Sequence, residues 1–281
     1  HFFIVRDGEL WTSTGVDAAA RALPGAGRPR RGRARGGRSL MVARLAVWSG
    51  PRNISTALMR SWENRPDTMV VDEPLFAHWL TETGTDHPGR EDVIATYDSD
   101  WRRVAEQLTG PLPDGVEVFY QKHMAHHLTP QIQHGWMARL TNVLLIRDPR
   151  EVIASYQKGR PRFVARDLGF EQLVELYDEL GATGEAPMVI DASDFLRAPE
   201  PHLRALCELI GVDFTDRMLE WPPGPRDSDG VWAPYWYKTV WESTGFAPWT
   251  PREVHLSGLA AEVAEECRSP YERLYAVRLR V

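Results

Sequence analysis

Short apolar runs alternate with amphipathic stretches from Met41 onward. The apolar runs predict buried strands at 43–48, 68–72, 116–122, 141–148 and 186–193. Apolar positions three and four residues apart predict helices near 53–64, 98–110, 130–140, 149–158, 170–181, 199–211 and 252–266. Strands that alternate with helices form right-handed crossovers. The chain is therefore predicted to be an α/β protein of three layers, with a parallel central sheet flanked by helices.

The first forty residues depart from this pattern. Residues 1–15 predict a strand pair with a turn at Asp7–Gly8. The following residues, up to position 40, are rich in Arg, Gly, Pro and Ala and lack apolar periodicity, so burial could not offset their ordering entropy. We expect residues 1–40 to be an atypical, disordered extension or a translation artefact, and residues 41–281 to form the functional domain.

Composition narrows the classes of function. Hydrophobic residues make up 43% of the 281 residues, as in ordinary globular proteins, and the net charge of −6 argues against nucleic-acid binding by a broad basic surface. No apolar run is long enough to span a bilayer, and no signal-peptide pattern opens the chain, so we expect a cytoplasmic protein without a membrane partner. Cys207 and Cys267 are expected to be buried, reduced thiols.

The stretch "VWSGPRNISTALMRSW" (47–62) has the layout of a phosphate-binding loop. A strand ends at Trp48, a polar turn follows, and a helix begins with two hydroxyl residues. Free N–H groups and the helix dipole at such a terminus attract an anion, and Arg52 would add a planar, bidentate charge. The candidate anion-binding residues are Ser49, Gly50, Pro51, Arg52, Asn53, Ile54, Ser55 and Thr56.

The loop lacks the lysine of nucleotide triphosphatases. The spacing G-x-x-x-x-G-K-[ST] is absent, although "MVVDE" (69–73) resembles a strand whose aspartate, here Asp72, would hold Mg²⁺. A kinase or nucleotide hydrolase that uses Mg-ATP is therefore one alternative. A non-catalytic sensor that binds an adenosine phosphate is another.

A second anion-binding pair lies in "LLIRDPREVIASY" (144–156). Arg147 ends a central strand, and Ser155 follows eight residues later in the next helix, so both could reach one phosphate. With this pair and the loop, the chain resembles sulfotransferases that use 3′-phosphoadenosine-5′-phosphosulfate (PAPS). In that P-loop family an R-x7-S pair binds the 3′-phosphate and a P-K/R-x-x-[ST]-T loop binds the 5′-phosphosulfate. The resemblance implies PAPS as donor, PAP as product and no metal.

Two departures from the family pattern concern the nucleotide site. The family loop often has glycine where this chain has Ile54, which affects how closely backbone and ligand approach. The late glycine-rich segment of the eukaryotic cytosolic enzymes has no clean counterpart here. Residues 222–236 are its expected replacement, with Arg226 as a further candidate for the 3′-phosphate.

Sulfuryl transfer needs a general base for the acceptor hydroxyl or amine. The resemblance implies Glu73, which occupies the position of the base in sugar sulfotransferases. His123 is the alternative, although the cytosolic enzymes have one residue between lysine and histidine and this chain has none. Lys122 would stabilise the sulfuryl oxygens, and Arg52 and Thr56 would assist the leaving phosphate. The acceptor is expected to be a small molecule or carbohydrate, and its identity and the oligomeric state stay open.

The opening "FIVRDGELWT" (3–12) is also similar to a segment of class IV pyridoxal-phosphate aminotransferases. Such an enzyme needs a lysine for its Schiff base. The chain has only Lys122, Lys158 and Lys238, and none lies in this part. We therefore do not expect an aminotransferase. Histidines 123, 126 and 127 lack matching cysteines or acids, so no metal site is expected.

Overall fold

The computed structural model describes residues 3–6, 9–12 and 42–281. Strands β1 (Phe3–Arg6) and β2 (Glu9–Thr12) pair antiparallel, which confirms the predicted strand pair. The turn residues Asp7 and Gly8 and the rest of the expected disordered extension lie outside the described residues. The predicted extension therefore stays a prediction.

The five predicted strands form one parallel sheet, which confirms the α/β expectation. They are β3 (Ala43–Ser49), β4 (Thr68–Asp72), β5 (Val118–Met124), β6 (Thr141–Ile146) and β7 (Met188–Asp191). Their order is β4–β5–β3–β6–β7, and each neighbouring pair is parallel. The strand order therefore changes direction beside β3, which makes this position the topological switch point of the sheet. A crevice at the carboxyl end of that strand is where α/β sheets bind ligands.

Helices connect the strands of the sheet and also form much of the tail. They are α1 (Ser55–Glu63), α2 (Phe76–Thr83), α3 (Arg90–Thr96), α4 (Trp101–Thr109), α5 (Pro149–Tyr156), α6 (Phe170–Thr183), α7 (Ala192–Arg197), α8 (Pro199–Ile210), α9 (Ala233–Trp236), α10 (Lys238–Trp241) and α11 (Leu259–Ala276). Across the described residues no helix combines the length and apolar character needed to cross a membrane.

Several predicted boundaries were wrong. The strands predicted at 116–122 and 141–148 are Val118–Met124 and Thr141–Ile146. The segment 130–140 forms only a short 3-10 turn at Gly135–Arg139, and the tail helix is α11 rather than a helix at 252–266. The last predicted strand, 186–193, stops at Asp191. Its carboxylate accepts hydrogen bonds from the N–H groups of Ser193 and Asp194, so it caps α7 and ends the strand.

Local capping explains why several other helices begin where the sequence predicts. Asp100 and Asp148 each accept a hydrogen bond from the N–H two residues later, at the starts of α4 and α5. Pro149 occupies the first turn of α5, where its missing N–H is harmless. Gly211 adopts a left-handed conformation (φ 73°) and ends α8.

The sheet buries side chains on both faces, and this packing places the start of α1. Leu45 and Val47 share one face of β3 with Leu58 and Met59 of α1, whereas Trp48 lies in the core of the opposite face. All five are completely buried. Full burial of such a side chain is worth about 1.5–3 kcal/mol. Helix α1 is thereby fixed against the sheet, with its N-terminus beside the carboxyl end of β3.

Candidate active site

The loop between β3 and α1 is held by contacts of the Asn53 side chain. Asn53 Nδ2 donates to the Leu145 carbonyl at 3.0 Å, and Asn53 Oδ1 accepts from the Ile54 N–H at 2.9 Å. Ile54 is the N-cap residue of α1 and has no side-chain acceptor. The first-turn N–H groups, including those of Ser55 and Thr56, therefore remain for a ligand.

Two further loop residues show how tightly the backbone is placed. A Cβ at Gly50 would collide with the backbone carbonyl of Leu168, so a side chain does not fit there. Arg52 adopts a positive φ of 57°, a strained conformation for a residue with a side chain.

The Ser49 hydroxyl is buried and lacks a hydrogen-bond partner among the described residues. Such an orphaned donor fits a loop that binds an oxyanion.

The structure brings the two predicted anion motifs together. Arg52 Nε donates to Ser155 Oγ at 3.0 Å, and Arg147 Nη1 donates to the Arg52 carbonyl at 3.1 Å. Arg147 also donates through Nε and Nη2 to Glu151 Oε2, at 3.0 and 2.7 Å. Burial, and then the charge of Arg147, lower the pKa of the Arg52 guanidinium. Two neighbouring guanidiniums of this kind favour an added anion.

A cavity of about 360 Å³ opens beside this contact. Arg147, Glu151 and Ser155 line it together with Lys158 and Arg252, two cations that the sequence analysis did not include. Lys158 lies three residues after Ser155, so helical spacing would have found it. Arg252 comes from the Pro-rich tail and had no such signal. A neighbouring cavity of about 250 Å³ shares Glu151 and Arg252.

The structure does not bring Arg226 to this cavity. Arg226 Nη2 donates to the Pro222 carbonyl at 2.9 Å, and its N–H donates to Asp229 Oδ2 at 2.9 Å. Asp229 in turn pairs with Arg60, in the last turn of α1. A nine-residue helix is about 13 Å long. Arg226 therefore lies at the far end of α1 from the loop, because tertiary packing anchors its segment to that end.

A buried charge cluster joins the ends of β4 and β5. Asp72 lies opposite Lys122 in the strand register, and Lys122 Nζ donates to Asp72 Oδ1 at 2.7 Å and to Glu73 Oε1 at 2.6 Å. Tyr237, from the tail, donates to Asp72 Oδ2 at 2.5 Å. Lys122 Nζ also donates to the Tyr237 hydroxyl at 2.9 Å.

Glu73 is the member of this cluster that a ligand could reach. Its side chain is 12% exposed, against 1% for both Asp72 and Lys122. Its φ of 43° is the second positive value at a non-glycine residue of the described chain, after that of Arg52. Burial raises the pKa of the Glu73 carboxyl; Lys122 opposes the rise and Asp72 adds to it. A raised pKa makes Glu73 a stronger base than an exposed carboxylate.

His123 lies on the other face of the sheet from Lys122. Neighbouring strand residues point to opposite faces, and His123 stacks on Trp48 at a ring distance of 4.0 Å. It is 1% exposed, and His123 Nε2 lies 3.2 Å from Gln121 Oε1. Burial lowers the pKa of His123 to about 3. The structure therefore separates the two predicted base candidates.

Other aromatic side chains near these residues belong mainly to the core. Trp48 and Trp232 are buried, and His127 stacks on Phe76 at 4.7 Å. Burial lowers the pKa of the His126 imidazole to about 3. Within residues 42–281, no three His, Cys, Asp or Glu side chains gather as a metal-ligand set.

Comparison with known proteins gives three kinds of similarity. A family model described as a sulfotransferase domain matches residues 43–258. The chain is 40% identical over 201 residues to "Branched-chain-amino-acid aminotransferase-like protein 1" of Arabidopsis thaliana, and 36% identical over 203 residues to protein 2 of the same name and organism. These alignments cover 71% and 72% of this chain but only 36% of each relative. The chain thus spans about a third of the length of these curated relatives.

Solved structures were also compared with the chain. A sulfotransferase from Alicyclobacillus acidocaldarius aligns with 85% of this chain and 98% of its own, at 15% identity and a TM-score of 0.49. A sulfotransferase domain from the curacin biosynthetic pathway aligns with 82% of this chain and 99% of its own, at 14% identity and a TM-score of 0.48.

Proposed function

Because the chain belongs to the sulfotransferase domain family, we propose that it transfers a sulfuryl group from PAPS to a hydroxyl or amine of a small-molecule or carbohydrate acceptor. The observation that carries this proposal is the meeting of Arg52, Arg147 and Ser155 beside the N-terminus of α1. Two predicted phosphate-binding motifs, distant in sequence, contact each other there. This arrangement suits a nucleotide with phosphates on two sides of its ribose.

The residues present fit PAPS. Arg147, Ser155, Lys158 and Arg252 would hold its 3′-phosphate, and the loop 49–56 would hold the 5′-phosphosulfate. The unpartnered Ser49 hydroxyl and the lowered pKa of Arg52 both favour an oxyanion at the loop. When bound, PAPS supplies the sulfuryl group on a good leaving group. We leave Arg226 out of this site.

Glu73 is the proposed general base. Its carboxylate would take the proton of the acceptor hydroxyl or amine while the acceptor atom bonds to sulfur and the bond from sulfur to the bridging phosphate oxygen breaks, which releases PAP. Charge that develops on the leaving phosphate would be stabilised by Arg52 and by the N–H groups of the first turn of α1. His123 is buried on the opposite face of the sheet, which favours Glu73 over the alternative base.

Two alternative functions of the chain, a kinase and an aminotransferase, have less support. Both Asp72 oxygens already accept hydrogen bonds, from Lys122 and Tyr237, which disfavours a Mg²⁺ ligand and a kinase. The names of the curated relatives describe longer, aminotransferase-like proteins, of which this chain matches only 36%. We do not extend transamination to this chain, because Lys122 is buried in an ion cluster and Lys158 lies at the proposed 3′-phosphate site.

The proposal is tested by calorimetric titration with PAP, with adenosine 5′-phosphate and with ATP, each with and without Mg²⁺. We expect metal-independent micromolar binding of PAP and much weaker binding of the two nucleotides that lack a 3′-phosphate. Arg147→Ala should weaken PAP binding at least tenfold, because charge-assisted bonds worth roughly 1.5–3 kcal/mol each are lost. Binding of adenosine 5′-phosphate should change little.

Arg204→Ala provides the matched control, since Arg204 is an exposed arginine of α8 that pairs with Glu200. It should bind PAP as the unmodified protein does. A preference for Mg-ATP would contradict the proposal and point to a kinase. Tight PAP binding without turnover on any acceptor would point to a sensor.

A further inference from the structure

Every ammonium donor of Lys122 is committed within the described residues. A lysine ammonium has three N–H groups. Those of Lys122 reach Asp72 Oδ1 at 2.7 Å, Glu73 Oε1 at 2.6 Å and the Tyr237 hydroxyl at 2.9 Å. The side chain is 1% exposed. A sulfuryl oxygen would have to displace one of these partners, which conflicts with the direct contact that the sequence resemblance implies for Lys122.

The two carboxylates that share this ammonium are held differently. Asp72 accepts from Lys122 through one oxygen and from Tyr237 through the other, and its side chain is 1% exposed. Glu73 accepts from Lys122 through Oε1 and is 12% exposed. Asp72 is therefore the anchored anion and Glu73 the accessible one. Asp72 accepts a second hydrogen bond, from the Tyr237 hydroxyl, that Glu73 does not share.

Tyr237 is itself fixed by the tail of the chain. Trp232 Nε1 donates to its hydroxyl at 3.3 Å, and Trp232 packs edge-on against Phe76 at 5.0 Å. Phe76 begins α2, three residues after Glu73. The hydroxyl thus lies in an aromatic cluster that connects the tail to the segment carrying the proposed base.

Resting on the proposed function, we propose that Tyr237 and Asp72 are positioning residues that hold Lys122 behind Glu73, so that Lys122 orients the base and does not contact the sulfuryl group. Without the Tyr237 hydroxyl, Asp72 loses a donor and draws Lys122 toward itself. Glu73 then loses the contact that fixes its carboxylate. The tail segment thus supports the proposed base through a single hydroxyl group.

The first test observes Lys122 without any turnover. The sequence contains three lysines, so protein labelled at the lysine side chain gives three resolvable NMR signals. Lys158→Arg and Lys238→Arg each remove one signal and leave that of Lys122. We expect this signal to show slowly exchanging ammonium protons at neutral pH, because the group is buried and hydrogen-bonded.

Tyr237→Phe should shift the Lys122 signal and speed its proton exchange at least tenfold. Tyr235→Phe, at a tyrosine two residues away that is 54% exposed, should leave the signal unchanged. A Lys122 signal that exchanges as fast as those of Lys158 and Lys238, or one that Tyr237→Phe leaves unchanged, would overturn the proposal.

The second test separates the roles of Lys122 by ligand binding. PAP lacks the sulfuryl group that PAPS carries, so a direct contact contributes to PAPS binding alone. We expect Lys122→Met and Tyr237→Phe to keep the ratio of the PAPS and PAP dissociation constants within twofold, while Tyr237→Phe lowers kcat at least tenfold without raising the donor KM. Selective weakening of PAPS by fivefold or more in either variant would show a direct contact and refute the proposal.

The two proposals can fail separately. Failure of the unmodified protein to bind PAP would end the proposed function, whereas the lysine signals report the cluster in the absence of any ligand. A normal PAP titration with an unprotected Lys122 would reject only the positioning role.

Discussion

At the scale of single residues, the chemistry of the site depends on strained and buried groups. Arg52 and Glu73 have positive φ values, and both belong to the proposed site. Strain of this kind, about 1–3 kcal/mol for a residue, persists where surrounding contacts fix the backbone. Here the Glu73 N–H donates to the Lys122 carbonyl at 2.9 Å, and the Arg52 carbonyl accepts from Arg147. The residues that we propose to bind or react are thus held in place by their neighbours.

Glu73→Gln tests the base at this scale. We expect kcat to fall about 10²–10⁴-fold, the usual contribution of a general base, while PAP affinity stays within twofold. Turnover is measured as PAP release from PAPS with a panel of phenol, alcohol and amine acceptors. Full activity of the variant would transfer the role to His123.

The pH dependence of the unmodified enzyme gives a second readout of the same group. The base acts in its ionised form, and burial raises its pKa. As pH falls, activity should therefore be lost at a pH above about 4.3, the pKa of an unperturbed glutamate carboxyl. An acid limb at or below that value would contradict a buried base.

At the scale of elements, the proposed phosphate-binding loop depends on a close backbone approach. Gly50 leaves space for the carbonyl of Leu168, which ends the 3-10 turn Ala165–Leu168 before α6. The strand–loop–helix pattern was readable from the sequence because the turn and apolar spacing are local. The partner at Gly50 was not, since it lies more than a hundred residues away and is positioned by packing of α6.

Gly50→Ala should displace the loop and the turn against each other. We expect a loss of stability of about 1–3 kcal/mol, as for an overpacked core, and at least a tenfold loss of PAP affinity. Urea unfolding and calorimetry measure the two effects. Gly135→Ala is the matched control, because a Cβ there meets nothing within 4 Å, and it should change neither quantity. Equal PAP affinity in both variants would contradict the close approach.

At the scale of the whole molecule, buried neutral histidines make stability depend on pH. Burial lowers the pKa of His123 to about 3 in the folded protein, against 6.5 for an unperturbed histidine. Between these values the unfolded chain binds a proton that the folded chain does not. Stability contributed by the neutral His123 is therefore present above pH 6.5 and is lost as pH falls toward 3.

His123→Phe should reduce this pH dependence while keeping a ring against Trp48. Below pH 6.5, the protonation of His123 in the unfolded chain should lower the unfolding free energy of the unmodified protein by about 1.4 kcal/mol per pH unit. The His123→Phe variant should lack this contribution. Urea unfolding at pH 7.0 and 5.0 measures the difference. His255→Phe serves as the control, because the His255 side chain is 90% exposed and should leave the slope unchanged. Identical slopes for all three proteins would contradict a buried neutral His123.

The sequence by itself determined the order of the five strands of the central sheet and the edge of that sheet where the proposed site lies. Apolar periodicity and helix caps act over a few residues, and parallel strands bring their carboxyl ends to one edge wherever they lie in the chain. The period-two rule even separates Lys122 from His123, although the sequence analysis placed both at the candidate site. Positions such as Arg147 and Ser155 follow from the same local geometry.

Only the tertiary structure decided which distant side chains meet. Tyr237 contacts Asp72 across 165 residues, and Arg252 enters the cavity beside Arg147, while Arg226 is carried to the other end of α1. The tail contains several aromatic and charged residues of similar spacing, so no local pattern distinguishes one from another. Their positions depend on how the tail packs against α1 and α2, and that packing is decided by the free energy of the whole core rather than by any short stretch of sequence.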